Sequence, residues 1–333
     1  MVNLSAILIF ALLVVASAVK ADSRLLYAEA QLVGGYSFDG RPVRWHSMDQ
    51  MDVMQKPSIG FDLVQRLSSE TGDWGMFAVQ FRMAYDSTRN GNVELQLYNA
   101  YLKVKPAFGD VWIGHNKPAF GLAMALDNHG ALLQPLSMHG YGFDRDWGAG
   151  YYRDFESGNV AFSATLGSGM GIYTRGNYLL SGRVSKGDLN QQNYTVGLSA
   201  AYGKVLETMG YRLPLDMTEP VELTMSGLDG TLLMGRWENR LELLWHRTVH
   251  YPHHTAFPVS PNVLFHRSTV NFLAENRLRC ELQSMWRFDD GQEIATDLGV
   301  SYQLTPDLVI RGSAGFSDDD AKAAVQLYWY HKI

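Results

Sequence analysis

Apolar and polar side chains alternate with a period of two residues along much of this chain. In residues 25–38, LLYAEAQLVGGYSF, every second residue is apolar or small, from Leu26 to Phe38. Successive side chains of a β-strand point to opposite faces, so this period is typical of a strand with two different environments. The run also matches the ~9–11 residues that a tilted strand needs to cross a bilayer. The chain therefore predicts strands with one apolar and one polar face.

The same alternation recurs to the end of the chain, and the connections between the runs alternate in length. Short polar turns, such as 68–74 and 305–307, alternate along the chain with longer segments, such as 39–56 and 119–145. Short turns at one end and longer loops at the other are typical of an outer-membrane barrel. We count about 16 strands, at roughly 26–38, 57–67, 75–86, 93–104, 110–118, 146–154, 158–167, 178–185, 193–203, 222–234, 239–249, 264–273, 277–288, 293–304, 308–317 and 323–333.

The predicted fold class is all-β, a transmembrane antiparallel β-barrel of about 16 strands formed by residues 22–333. Segment 323–333 places Val325, Leu327 and Trp329 on one face and would pair with the first strand, which leaves no open edge. A closed sheet of this width is too wide for side chains to fill its interior. The polar face must then meet water inside the barrel, and the apolar face must meet lipid.

The first 21 residues are predicted to be a cleaved signal peptide. Residues 4–19 form an apolar run, and Val19-Lys20-Ala21 precedes a cleavage site before Asp22. The segment before the apolar run carries no Lys or Arg, which leaves an uncleaved anchor helix as the alternative. The run is shorter than the ~20 residues of a membrane-spanning helix, so the signal peptide is the preferred interpretation.

The composition excludes several other classes of function. A net charge of −6 gives no reason to expect nucleic acid as a partner. The single cysteine, Cys280, excludes an internal disulfide and a Cys-rich metal site, and no haem-attachment motif occurs. Segment 167–171 lacks the spacing of a dinucleotide fingerprint. His250, His253 and His254 fall in a Pro-rich loop without acidic neighbours and read as a solvated loop. No cofactor is therefore expected.

Residues 97–122, LYNAYLKVKPAFGDVWIGHNKPAFGL, resemble a stretch of the phosphate-selective porin O and P family and related general porins. The matching features are Ala100-Tyr101, the turn, and then Gly114-x-x-Lys117-Pro118-x-Phe120-Gly121. Segments 140–154 and 227–230 also look like strand starts of that family. The resemblance implies a water-filled channel whose loop after the fifth strand is folded into the lumen, with a homotrimer as one assembly that it allows.

The corresponding loop of this chain departs from the phosphate-binding pattern. Residues 119–144 contain no Lys or Arg and offer instead Asp127, His129, His139 and Asp144. A phosphate filter needs clustered cations. The sequence therefore predicts a constriction loop without predicting phosphate selectivity.

The phase of the alternation assigns charges of both signs to the lumen. The predicted pore-lining residues are Arg66, Arg82, Lys103, Arg183, Arg240, Arg279, Arg311, Glu29, Asp62, Asp86, Glu242, Glu281 and Asp297. Basic wall residues opposite Asp127 would create a field across the pore that orients polar solutes. Alternatively, these charges pair with one another and merely solvate a wide lumen.

The leading functional prediction is an outer-membrane porin of a Gram-negative cell that passes small hydrophilic solutes or ions by diffusion and catalyses no reaction. One alternative is a barrel that sheathes a periplasmic or multihaem electron-transfer partner. A remote alternative is an outer-membrane phospholipase. It would use His266 and Ser268, which share a strand face, and Asn276 would orient the histidine.

Overall fold

A computed structural model describes residues 24–37, 55–70, 72–86, 92–126, 129–206, 219–248, 262–288, 292–316 and 321–333. These residues form 16 strands. They are β1 (Arg24–Ser37), β2 (Ser58–Ser69), β3 (Gly72–Tyr85), β4 (Val93–Val104), β5 (Asp110–Asn116), β6 (Asp146–Phe155), β7 (Gly158–Thr165), β8 (Tyr178–Lys186), β9 (Tyr194–Val205), β10 (Val221–Met234), β11 (Trp237–Thr248), β12 (Asn262–Phe272), β13 (Leu278–Phe288), β14 (Gln292–Thr305), β15 (Leu308–Phe316) and β16 (Ala321–Lys332).

The strands form one closed antiparallel barrel in which each strand pairs with its neighbours in sequence. Closure comes from β1 and β16, which pair from Tyr27↔Lys332 to Ser37↔Lys322. The predicted fold class, strand number and closure are confirmed. Pairing every strand on both sides satisfies the backbone donors and acceptors, which a bilayer requires. No helix among the residues described above is long and apolar enough to cross a membrane.

The two faces of the wall differ as the alternation predicted. On the outer face, Leu32, Ile113 and Leu198 leave about 60% of their surface exposed, at 61%, 62% and 59%. On the opposite face, Glu29 and Gln31 are both buried at 3% exposure. Single exposed apolar side chains are common on proteins in water, but a large contiguous apolar surface marks contact with lipid or with another protein. This pattern fits an outer face in contact with lipid.

Two details of the outer face differ from what the sequence suggested. Trp112 lies close to a strand end, where aromatic side chains of a membrane barrel often face the lipid interface. Its register partners are Lys103 and Gly150, and a Cβ on Gly150 would lie 2.4 Å from the indole nitrogen, so the ring points into the barrel. Across β2 to β6, moreover, the outward side chains Leu63 and Trp147 are buried in an apolar cluster. The outer face is therefore not uniformly exposed.

The ends of the barrel also differ from a simple division into turns and loops. β14 and β15 are joined by the two-residue turn 306–307, as expected. On the side of the long connections, however, β13 and β14 are separated only by 289–291, and β15 and β16 only by 317–320. The connection between β5 and β6 spans 117–145, and its described residues run inward.

The interior of the barrel and its inserted loop

The connection between β5 and β6 enters the barrel and is held against three successive parts of the wall. The amide of Ala119 donates to Ser163 Oγ on β7 at 2.9 Å, and the amide of Gly121 donates to Ser199 Oγ on β9 at 2.9 Å. The amide of Leu122 donates to Glu242 Oε1 on β11 at 3.1 Å. The loop thus satisfies its backbone donors with inward side chains, as buried backbone requires.

Gly121 is needed for this entry into the barrel. Its φ is +54°, and a Cβ there would lie 1.8 Å from Glu242 Oε1. Only a residue without a side chain tolerates both the left-handed backbone and the close approach of the carboxylate. The glycine of the Lys117-Pro118-x-Phe120-Gly121 motif therefore has a local structural reason.

Beyond Gly121 the loop packs on an apolar sector of the inner wall. Phe120, Leu122, Leu126, Leu136 and Tyr141 of the loop belong to one buried cluster. The wall contributes inward side chains of β8 to β13, namely Leu179, Ala201, Val205, Val221, Leu223, Met225, Leu244, Val263, Phe265 and Met285. Burial of this apolar surface stabilises the loop inside the barrel. The alternation of apolar and polar residues predicted a lumen filled with water, and this apolar sector of the inner wall differs from that prediction.

The tip of the loop reaches the opposite wall through His129. The imidazole contacts Glu29 on β1 through Nε2, and Arg82 on β3 donates to the ring at 2.7 Å. Gln80 Nε2 lies 2.9 Å from the same ring nitrogen. Arg82 also donates from Nε to Glu29 Oε1 at 2.6 Å. A histidine of the loop and two charged wall residues therefore form one buried network.

The next residue adds a second contact with this wall. The carbonyl of Gly130 accepts a hydrogen bond from Arg311 Nη1 on β15 at 2.9 Å. Gly130 has φ +70°, and a Cβ on it would lie 3.1 Å from the ring of Tyr328 on β16. The glycine lets the chain turn directly against the tyrosine.

The loop then returns towards β6 along another path. Leu133 lies against β14, where a Cβ on Gly299 would come within 2.5 Å of it. Near the start of β6, Arg145 donates from Nε to Asn99 on β4 at 2.9 Å and pairs with Asp144. Its guanidinium lies 3.7 Å from the ring centroid of Tyr98. The loop therefore contacts strands around the whole circumference.

The structure places the predicted pore-lining charges on the inward face or, for Asp86, directly after β3 at its loop end. They occupy two environments. Glu29, Arg82, Asp86 and Glu242 are at least 96% buried, whereas the side chains of Arg66 and Arg279 are 66% and 41% exposed. The first group holds the loop or the wall, and the second faces the open lumen.

Most of the inward charges have a partner of opposite sign close by. Representative pairs are Arg183–Asp229 at 2.6 Å, Arg279–Glu281 at 2.8 Å, Lys103–Asp110 at 3.2 Å, Lys56–Asp86 at 2.9 Å, Arg66–Asp73 at 3.9 Å and Arg240–Glu238. Such pairing was one of the two interpretations of the mixed lumen charge. The ion pairs also include Lys56, Arg145 and Asp229, which the sequence did not assign to the lumen.

Of the four predicted loop residues, three fall among the described residues. Asp127 lies outside them. His129 makes the contacts given above, and His139 is half-buried in the single-turn 3-10 helix Leu136–His139. Asp144 is buried beside Arg145. The structure thus brings His129, Glu29 and Arg82 together and leaves Asp144 in a separate pair at the loop's end.

Two further motifs were singled out in the sequence, His266 with Ser268 and the histidines of 250–254. His266 and Ser268 share the outer face of β12, but Ser268 Oγ accepts a hydrogen bond from Trp237 Nε1 at 2.6 Å. The residues 250–254 lie outside the described part of the chain. Within the described part, no group of three or more His, Cys, Asp or Glu side chains is arranged to hold a metal ion.

Several solved structures share this architecture at low sequence identity. The in-vitro folded OmpT, an outer membrane protein of Vibrio cholerae in trimer form, superposes with a TM-score of 0.64 at 10% identity and covers 93% of this chain and 99% of its own. An anion-selective porin from Comamonas acidovorans gives 0.63 at 11% identity, covering 93% and 99%. Salmonella typhi OmpF in complex with daunomycin gives 0.60 at 11%, covering 92% and 97%.

No protein-family model and no curated protein matches the chain. The resemblance to the phosphate-selective porins therefore gains no support from these comparisons. The structural likeness extends over nearly the whole barrel and concerns the fold.

Proposed function

We propose that this chain is an outer-membrane porin, a water-filled channel through which small hydrophilic solutes or ions diffuse passively. The observation that carries the proposal is the closed barrel of 16 strands, apolar outside and charged inside, with a loop inserted into its lumen. An apolar wall without free edges suits a bilayer, and a charged interior suits water. One structural neighbour is described as an anion-selective porin and another as OmpF, and both descriptions support the proposal of a porin.

The interior argues for a channel over a sheath. A barrel that surrounds an electron-transfer partner needs a lumen free for that partner. Here the described parts of the connection, 119–126 and 129–145, lie inside the barrel and contact β1, β3, β9 and β11. Small solutes can pass beside such a loop, whereas a folded protein cannot without displacing it.

Further parts of the proposal concern processing, assembly and the solute path. Residues 1–21 would be removed as a signal peptide during export to the outer membrane of a Gram-negative cell. A homotrimer is supported by the neighbour solved in trimer form. Exposed inward charges such as Arg66 and Arg279 would line the water path, while buried ones such as Arg82 would fix its walls.

The proposal predicts that the purified protein makes lipid vesicles permeable to small neutral sugars. The protein, refolded in detergent and reconstituted, should cause vesicles to swell in an iso-osmotic pentose, because the lumen offers a polar path. The control is the same protein denatured by heat before reconstitution. Folded protein that leaves the vesicles impermeable to a pentose would contradict passive diffusion, and co-purification of haem would favour the sheath.

A further inference from the structure

The half of the lumen nearest the long connections is filled along most of the wall. At this end of the barrel, which we call the loop end, inward side chains of β8 to β13 lie under apolar residues of the inserted loop. On β1 and β3 they are buried in the polar network of Glu29 and Arg82. Representative inward side chains that are at most 2% exposed are Arg82, Gln96, Asp146, Leu179, Leu244 and Phe265. Walls packed to this extent leave no room for a solute at these positions.

The strands β14, β15 and β16 form a sector of the wall that differs. Their inward side chains Asp297, Ser313, Lys322 and Ala324 lie in the loop-end half and are only half-buried. The three strands are neighbours in the barrel, so these accessible side chains form one continuous patch. In this sector the wall is therefore open to water beside the inserted loop.

Small residues make this sector concave. Gly299, Ser313 and Ala324 stand side by side on β14, β15 and β16. Leu133 of the inserted loop lies over Gly299, where a Cβ would come within 2.5 Å of the leucine side chain. Ser313 and Ala324 keep part of their surface accessible. The loop thus borders this recess on the side of β14 and leaves its centre open.

The next row towards the loop end carries charges of both signs. Asp297, Gly315 and Lys322 stand side by side on the same three strands. A Cβ on Gly315 would lie 2.4 Å from Asp297 Oδ1 and 3.2 Å from Lys322 Cε. The carboxylate and the lysine side chain therefore approach the glycine closely, and a solute that enters the recess passes these two groups.

Accessible inward side chains continue from the recess towards both ends of the barrel. At the loop end, the side chain of Glu293 on β14 is 40% exposed, and short connections join β13 to β14 and β15 to β16. Towards the other end, Arg311 and Ser301 are half-buried, and the side chain of Arg279 is 41% exposed. The described residues thus contain a file of polar, water-accessible groups that runs along the wall.

We infer that solutes cross the loop-end half of the barrel along the inner faces of β14, β15 and β16, and that Ser313 and Ala324 set the width of this path. The inference rests on the proposed channel function and assigns the path to one sector of the wall. A side chain added to the recess narrows the path, because the filled sectors offer no way around it. The same side chain added where the lumen is wide leaves the path unchanged.

Three single cysteines in a Cys280→Ser background test this assignment. Ser313→Cys lies in the recess. Thr195→Cys is the matched control, because Thr195 is also inward and half-buried but lies on β9 near the opposite end of the barrel. Ala201→Cys lies on the same strand within the filled sector, where Ala201 is 4% exposed. All three substitutions change the side-chain volume little, and heat-dependent gel mobility checks that each variant folds.

The measurement is the current through single channels in planar lipid bilayers before and after addition of a bulky, water-soluble methanethiosulfonate. The reagent forms a mixed disulfide with a thiolate in contact with water, and mass spectrometry reports which variant has reacted. We expect modification at position 313 to lower the single-channel conductance about threefold, since conduction depends steeply on the width of a narrow pore. A reducing agent should restore the conductance. Modification at position 195 should leave the conductance unchanged, and position 201 should stay unmodified.

The outcomes separate this inference from the function on which it rests. If the natural protein conducts and position 313 either fails to react or reacts without a change in conductance, the assigned path is wrong while the channel stands. A reaction at position 201 that closes the channel would place the path along β8 to β13 instead. An equal loss of conductance at position 195 would contradict a narrow part confined to β14 to β16. Folded natural protein that carries no ion current would overturn the channel function and the path together.

Discussion

Placing an arginine at Leu298 is expected to cost about 2–4 kcal/mol of folding free energy in a lipid bilayer. Leu298 lies in the middle of β14 on the outer face and is 49% exposed. If that face meets hydrocarbon, the guanidinium has to be drawn out of water or has to distort the bilayer to reach it. Reversible unfolding by urea in lipid vesicles measures the change directly.

The matched control places the same side chain on the neighbouring strand but inside the barrel. Ser313 is half-buried on the inward face of β15, opposite Gly299. Ser313→Arg should cost less than about 1 kcal/mol, because lumen positions tolerate charge. Equal costs for the two arginines, or a larger cost for the inward one, would mean that the faces are assigned the wrong way round.

Leu327→Pro is expected to prevent assembly of the barrel or to cost about 3 kcal/mol or more. Leu327 lies within β16, where it pairs with Leu32 of β1 and with Ile310 of β15. Proline has no backbone N–H, and in a bilayer no water replaces the lost ladder hydrogen bond. Gel mobility before and after heating, together with urea unfolding in vesicles, reports whether the closed barrel forms.

Leu327→Ala serves as the comparison, since it keeps the N–H and removes only lipid-facing side-chain atoms. It should fold with a loss of about 1 kcal/mol or less, in line with substitutions away from buried contacts. A proline variant that folds as stably as the alanine variant would show that β16 does not close the sheet against β1.

The fold could be predicted from the sequence because lipid imposes one simple rule on every strand. In β9, for example, Leu198 points outward and Ser199 inward. The alternation of such pairs predicts that the segment is a strand and which of its faces meets lipid. The predicted strand ends differ from the structure by at most three residues, as at β3, which begins at Gly72 rather than at 75. Closure of the barrel could be predicted because an open sheet would leave unpaired backbone groups on its edge strands in the bilayer.

The interior could be predicted less well because its contacts join residues far apart in sequence. Phe265 and Met285 are inward and apolar, and the alternation rule has no place for them in a water-filled lumen. Their partners are loop residues such as Leu122, which only the folded chain brings to them. The pairing of His129 with Glu29, 100 residues away, is equally invisible to a local pattern.

The most direct test of the central claim is the accessibility of single cysteines along β14 in vesicles. In a Cys280→Ser background, cysteines at the inward positions 297 and 301 and at the outward positions 298 and 300 are exposed to a water-soluble, membrane-impermeant maleimide. The account predicts modification at 297 and 301 and protection at 298 and 300 until detergent is added, because the thiolate forms only in water. Reaction at 298 and 300 as fast as at 297 and 301 would contradict a wall with lipid on one side and water on the other.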